Sequence, residues 1–154
     1  KLPRQGRVFL SVNDRDKGQL PEVARALAEL GFELVATRGT ADLLRESGLA
    51  VRTALKVHEG RPNVVDMIKN GELDMLINTA SGKLTAGDSR AIREATLQYG
   101  LPYTTTMSGA RAIARAINAM RTTEPRVRSI QSYYQASPAW EAREGCHHES
   151  PARP

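Results

Sequence analysis

The chain has 154 residues, of which 40% are hydrophobic, enough to close one core and too few for two independent ones. Its formal net charge of +5 comes from Lys and Arg interleaved with Asp and Glu, and aromatics make up only 5%. That distribution argues against a basic stripe or a stacking platform for nucleic acid. No apolar run approaches the ~20 residues of a membrane span, and the lone Cys146 cannot form an internal disulfide, the pattern of a reducing, cytoplasmic setting.

Lys1-Leu2-Pro3-Arg4 lacks both an initiator Met and the apolar segment of a signal peptide, so residues 1–6 read as the end of a linker in a longer sequence. Arg7 to Val12 is a short β-branched and aromatic run, expected as a buried strand. Leu20, Val23, Ala24, Leu27 and Leu30 then recur at helical steps, with Pro21 in the first turn and Gly31 as the stop. Phe32 to Thr37 is the next strand, followed by a short helix from about Ala41 to Glu46 and a weaker strand at Val51 to Leu55. Pro62 is expected to open a helix carrying Val64, Val65 and Ile68, which Gly71 ends.

Met75 to Asn78 is a strong buried-strand candidate. Asp88 suits the cap of a helix with Ile92, Ala95 and Tyr99 on one face, and Leu101 to Thr105 returns as a strand. Ser108 is expected to cap one more helix bearing Ile113, Ala114, Ile117 and Met120. Val127 to Ser132 reads as an extended exit from a domain covering residues 7–134, and the composition from Gln135 onward is that of a disordered tail. Strands alternating with helices imply an α/β fold whose parallel sheet is covered on both faces.

In such a sheet, ligands sit beyond the carboxyl ends of the strands. The segments there are rich in hydroxyls, glycines and cations: Asn13 to Lys17, Thr37-Arg38-Gly39-Thr40, Lys56 to Pro62, and Asn78 to Lys83. Thr37 and Thr40 place two hydroxyls at a strand-to-helix turn, where free amides and the helix dipole favour an anion. Lys17 and Lys56 follow strands that feed the same edge and are placed to converge there. Taken alone, Thr40 reads as a plain N-cap with Gly39 as the turn residue; the recurrence of donor-rich loops is what favours a phosphate cradle. Asp88 reads as a cap or as an acceptor for ribose hydroxyls.

His58 has no Ser, Cys or carboxylate at a workable spacing, so a structural or capping role is expected. Cys146-His147-His148, adjacent residues in a tail, do not define a tetrahedral metal site. There is neither a GxxxxGK[ST] loop nor a GxGxxG fingerprint.

The segments Phe32-Glu33-Leu34-Val35-Ala36-Thr37-Arg38-Gly39-Thr40, Lys56-Val57-His58-Glu59-Gly60-Arg61-Pro62 and Ile68-Lys69-Asn70-Gly71-Glu72, with Ile77-Asn78-Thr79 and Asp88-Ser89-Arg90, resemble the methylglyoxal-synthase-like domain of carbamoyl phosphate synthetase large subunits. The resemblance runs from about Gly6 to Ser132. It implies a three-layer α/β/α domain with a central parallel sheet of about five strands. Such a domain is not itself catalytic and receives allosteric signals for an ATP-dependent ligase of pyrimidine and arginine biosynthesis. UMP would inhibit and IMP activate, with ornithine as a further effector.

Carried over by position, the effector phosphate would meet Lys17, Thr37, Thr40, Lys56, Asn78 and Thr79. Asp88 would face the ribose, with Val57, Val64, Ser89 and Ile92 near the base and Tyr103 and Thr105 toward ornithine. The family pattern has a second Thr after Asn78-Thr79, where this chain has Ala80. No cofactor is implied in the domain; the parent enzyme would use ATP, Mg2+ or Mn2+, and K+, its partners being the catalytic domains of the same subunit and a glutaminase small subunit. The alternative is a methylglyoxal synthase, a lyase acting on dihydroxyacetone phosphate, but its catalytic Asp aligns with Ser81, which cannot accept a proton at neutral pH without its own base. The related domain of a purine-biosynthesis cyclohydrolase fits the Lys56 to Pro62 segment less well.

Overall fold

The computed structural model describes residues 1–79, 86–123 and 127–135. The chain divides into two units, Lys1–Thr123 and Glu124–Pro154. In the first, the order along the chain is β1 (Gly6–Ser11), α1 (Leu20–Glu29), β2 (Phe32–Thr37), α2 (Arg38–Glu46), β3 (Val51–Ala54), α3 (Val64–Lys69), β4 (Met75–Asn78), α4 (Ala86–Gln98), β5 (Tyr103–Thr104) and α5 (Met107–Thr122). The second contains α6 (Ile130–Gln135). No helix among the described residues is long and apolar enough to cross a membrane.

Among the described residues the five strands form one sheet in the order β3-β2-β1-β4-β5, and every neighbouring pair is parallel. The central strand explains why its sequence is a continuous apolar run: both faces are covered. Val8 and Leu10 join one core layer with Leu20, Val23 and Leu27 of α1, Leu44 of α2, and Ala110 and Ile117 of α5. Phe9, between them, joins the opposite layer with Val64 and Ile68 of α3 and Ile92 and Ala95 of α4. Three layers follow, helices on either side of one sheet.

Several helix starts differ from the sequence expectation, each for a local reason. α2 begins at Arg38 rather than Ala41, with Thr37 in the N-cap position, so Thr40 lies inside the first turn and does not cap it. α3 begins at Val64, not Pro62. The Asn63 side-chain oxygen accepts from the amides of Val65 (2.9 Å) and Asp66 (3.3 Å), while Asp66 accepts from the Asn63 amide (3.0 Å). This reciprocal box satisfies free amides that a proline side chain cannot reach.

Asp88 lies in the first turn of α4, which starts at Ala86. At α5 the cap is Thr106, whose hydroxyl accepts from the Gly109 amide at 3.1 Å, not Ser108. β5 is only Tyr103–Thr104, since Pro102 has no N–H to extend the ladder, although its carbonyl accepts from the Leu76 amide at 2.9 Å. Of the segment Val127 to Ser132, expected to be extended, residues 130–132 are helical, the start of α6. Residues 136–154 of the expected tail, with Cys146, His147 and His148, lie outside the described residues. Leu2 packs against the core layer of α1, and the Arg4 carbonyl accepts from Arg121, so the segment read as a linker end is tied to the first unit.

Candidate functional site

Chain crossings leave β1 toward β2 and β3 on one side and continue past β4 to β5 on the other, so the loops part at the carboxyl ends of β1 and β4, the place where open α/β sheets bind ligands. Ser11 and Asn78, the last residues of these strands, stand side by side in the sheet. A small crevice of about 30 Å³ opens there. The sheet contributes Ser11, Thr37 and Asn78; the segment after β3 brings Lys56; α3 offers Val64; and the first turns of α4 add Asp88, Ser89 and Ile92.

Three of the polar residues of this crevice are buried. Thr37 is 5% exposed, Asn78 2% and Ser89 8%. Burying such groups costs free energy unless they find partners. Thr37 is both the last residue of β2 and the N-cap of α2, yet its side chain caps no amide. Instead its hydroxyl donates to that of Thr40 at 3.3 Å, inside the protein. The turn therefore combines two hydroxyls with the first amides and positive dipole end of α2, an arrangement suited to an anion.

Lys56 reaches the crevice because a tight loop holds it. Glu59 accepts from the Lys56 amide at 2.8 Å, Asn63 donates to the Gly60 carbonyl at 3.0 Å, and Leu55 bridges to Asn63. Lys17 behaves differently. Its ammonium pairs with Asp14 at 2.7 Å on the surface and does not line the crevice. That bond and charge hold the Asp14 carboxyl below the usual carboxylate range.

Thr79 is buried and pinned. Its amide donates to the Ser11 carbonyl at 3.0 Å, its carbonyl accepts from the Asn13 side chain at 2.8 Å, and its hydroxyl accepts from the Asn13 amide at 3.3 Å. Asn13 also donates to Asp16 at 2.9 Å, so one side chain fastens the loop after β1 to the end of β4. Asn13 and Ser11 add to the ligand contacts expected from the sequence. The signal for Asn13 was its place just after a strand; Ser11 reads only as a strand residue.

His58, expected to lack a carboxylate partner, has one: its Nδ1 lies 2.5 Å from Oδ2 of Asp88, thirty positions on. The pair bridges the turn Val57–Glu59 and α4. Val57 is half-buried against the layer containing Val64 and Ile92. Tyr103 and Thr105 do not line the crevice. Thr105 is exposed beyond β5, and the Tyr103 hydroxyl is buried with no hydrogen-bond partner among the described residues. A larger cleft of about 310 Å³ lies between α1 and α5, walled by Glu22, Glu29, Arg111 and Arg115, and contains none of the expected ligand contacts.

Residues 19–105 match the MGS-like domain family. The carbamoyl phosphate synthase large chain of Pasteurella multocida is 49% identical over 136 residues, covering 88% of this chain and 12% of its own length. That of Gemmatimonas aurantiaca is 47% identical over 134 residues, covering 87% and 12%. The C-terminal section of the Aquifex aeolicus large chain is 47% identical over 121 residues, covering 79% and 22%. This chain thus spans only about one eighth of the full-length relatives, 12% of each. A solved methylglyoxal synthase from Elizabethkingia anophelis shares the fold with a TM-score of 0.61 at 16% identity, covering 88% of this chain and 94% of that one. The five-stranded parallel sheet, the sequence relatives and the matched segment agree: the chain belongs to the MGS-like domain family, in the form found in carbamoyl phosphate synthase large chains.

Proposed function

We propose that this chain is the regulatory domain of a carbamoyl phosphate synthase large chain and that its crevice receives the phosphate of a nucleoside monophosphate, with UMP as inhibitor and IMP as activator. The observation that carries the reading is convergence. Thr37, Lys56, Asn78 and Asp88, from four separate segments, line one crevice at the strand ends. The phosphate would take the Thr37 and Thr40 hydroxyls, the first amides of α2 and the Lys56 ammonium; charge-assisted bonds of this kind are stronger than neutral ones. Asp88 would accept the ribose hydroxyls, with Val57, Val64, Ser89 and Ile92 beside the base.

Lys17 would join only by leaving Asp14, a small cost for an exposed pair. Thr79 would serve through its bonds to Asn13, which hold the β1 and β4 loops together. Tyr103 and Thr105 would meet ornithine at the boundary with a neighbouring domain, and a Tyr103 hydroxyl without a partner among the described residues fits a group that awaits an acceptor.

A crevice of about 30 Å³ has room for little more than water, so the loops around it would part as a phosphate enters. An effector shifts the synthase only by the difference in its affinity for two states, about 1–3 kcal/mol in typical couplings. Catalysis, with ATP, Mg2+ or Mn2+ and K+, would belong to the remainder of the large chain, supplied with ammonia by the glutaminase subunit in the cytoplasm. Replacing Thr37 and Lys56 by Ala in the assembled synthase is expected to abolish nucleotide effects and leave the basal rate nearly unchanged; a matching loss of basal rate would contradict this division of labour.

A further inference from the structure

We propose that His58 is a positioning residue of this crevice: by donating from Nδ1 to one carboxylate oxygen of Asp88, it leaves the other oriented to receive the hydroxyls of the effector's ribose. The inference rests on the phosphate-and-ribose reading above and adds to it a residue outside the expected ligand set. The 2.5 Å contact is to Oδ2 alone. His58 is 62% exposed at its side chain while Asp88 is 17% exposed, and Asp88 also lines the crevice. The imidazole therefore approaches from outside and the carboxylate faces in.

Both ends of the contact are held. The turn bearing His58 is fixed by the Lys56 amide on Glu59 (2.8 Å) and by Asn63 on the Gly60 carbonyl (3.0 Å). Asp88 rides on the first turn of α4, which buries Ser89 and Ile92 immediately after it. A carboxylate on a short side chain otherwise rotates among several rotamers, and ordering it on binding costs free energy. His58 makes that ordering part of the fold, as supporting hydrogen bonds do for binding groups in general.

The consequence is selective. Only a ligand with ribose hydroxyls benefits from an oriented Asp88, so removing His58 should reduce discrimination between a ribonucleotide and its analogue lacking both hydroxyls. His58→Asn is the informative partner of His58→Ala, because the Asn amide nitrogen stands where Nδ1 does relative to Cβ and can still donate. The test is equilibrium binding of UMP and dideoxyuridine monophosphate to the 154-residue chain and its two variants. The expected result is a preference for UMP in the wild type that falls about tenfold in His58→Ala, the loss of about 1.4 kcal/mol, and is retained in His58→Asn. An unchanged preference in His58→Ala, or equal losses in both variants, would overturn the role of His58 while leaving the phosphate site standing. Absence of UMP binding to the wild type would remove the site itself, and with it this inference.

Discussion

The cleft between α1 and α5 encloses about 310 Å³ and the crevice at the strand ends about 30 Å³, yet the smaller has the chemistry of a site. Its walls come from the loops of a parallel sheet, where backbone amides and helix N-termini gather, and it buries hydroxyl and amide side chains that a core does not bury without use. The larger cleft lies where two helices meet on one face of the sheet. Glu22 and Glu29 stand on one helix and Arg111 and Arg115 on the other, and Arg111 is already engaged by Gln19 at 2.7 Å. Volume in an unliganded protein records how helices abut. Convergence of buried polar groups records where binding energy can be gathered.

Four variants sharpen that contrast. Lys56→Ala should weaken UMP binding by about 10- to 100-fold, the range expected for a lost charged hydrogen bond, with little change in melting temperature; equilibrium dialysis beside a thermal melt reads both. Gly6→Ala probes the opposite end of the strands. Gly6 has φ of 122°, its added methyl would meet the Asp74 carboxylate, and that carboxylate accepts from the Arg7 amide at 2.7 Å. A loss of about 1–3 kcal/mol of stability is expected in urea unfolding, with nucleotide affinity unmoved. Were affinity to fall with stability, the two ends of the sheet would not be separable.

Asn63→Ala removes the N-cap of α3 and should cost about 1 kcal/mol in the same unfolding measurement. Because Asn63 also ties down the loop bearing Lys56, a few-fold loss of UMP affinity should accompany it. Glu22→Gln with Glu29→Gln, in the larger cleft, should change stability by no more than ~0.5 kcal/mol each and leave UMP binding intact; a marked change in binding would give that cleft a role the comparison denies it.

Much of this was legible from residues alone, and the exceptions have physical causes. β2 and β4 occupy the spans expected of them because short, mostly apolar runs between turn signals leave little freedom. Helix caps were harder. Thr106 and Ser108 both offer a hydroxyl near the start of α5, and only the geometry that brings the Gly109 amide to Thr106 decides between them. The site was readable where a residue ends a strand or lies within two positions of its end, as Thr37, Asn78 and Lys56 do. It was less readable where a local competitor intervenes, as Asp14 does for Lys17, or where the partner is distant in sequence, as Asp88 is from His58.

The central claim, that this domain binds a nucleoside monophosphate and turns over nothing, is tested most directly by calorimetric titration of the 154-residue chain with UMP and IMP, and with dihydroxyacetone phosphate under assay for methylglyoxal. Saturable binding of UMP or IMP, lost in Thr37→Val, with no methylglyoxal released is the predicted result. Methylglyoxal formation, or no nucleotide binding at millimolar concentration, would contradict it.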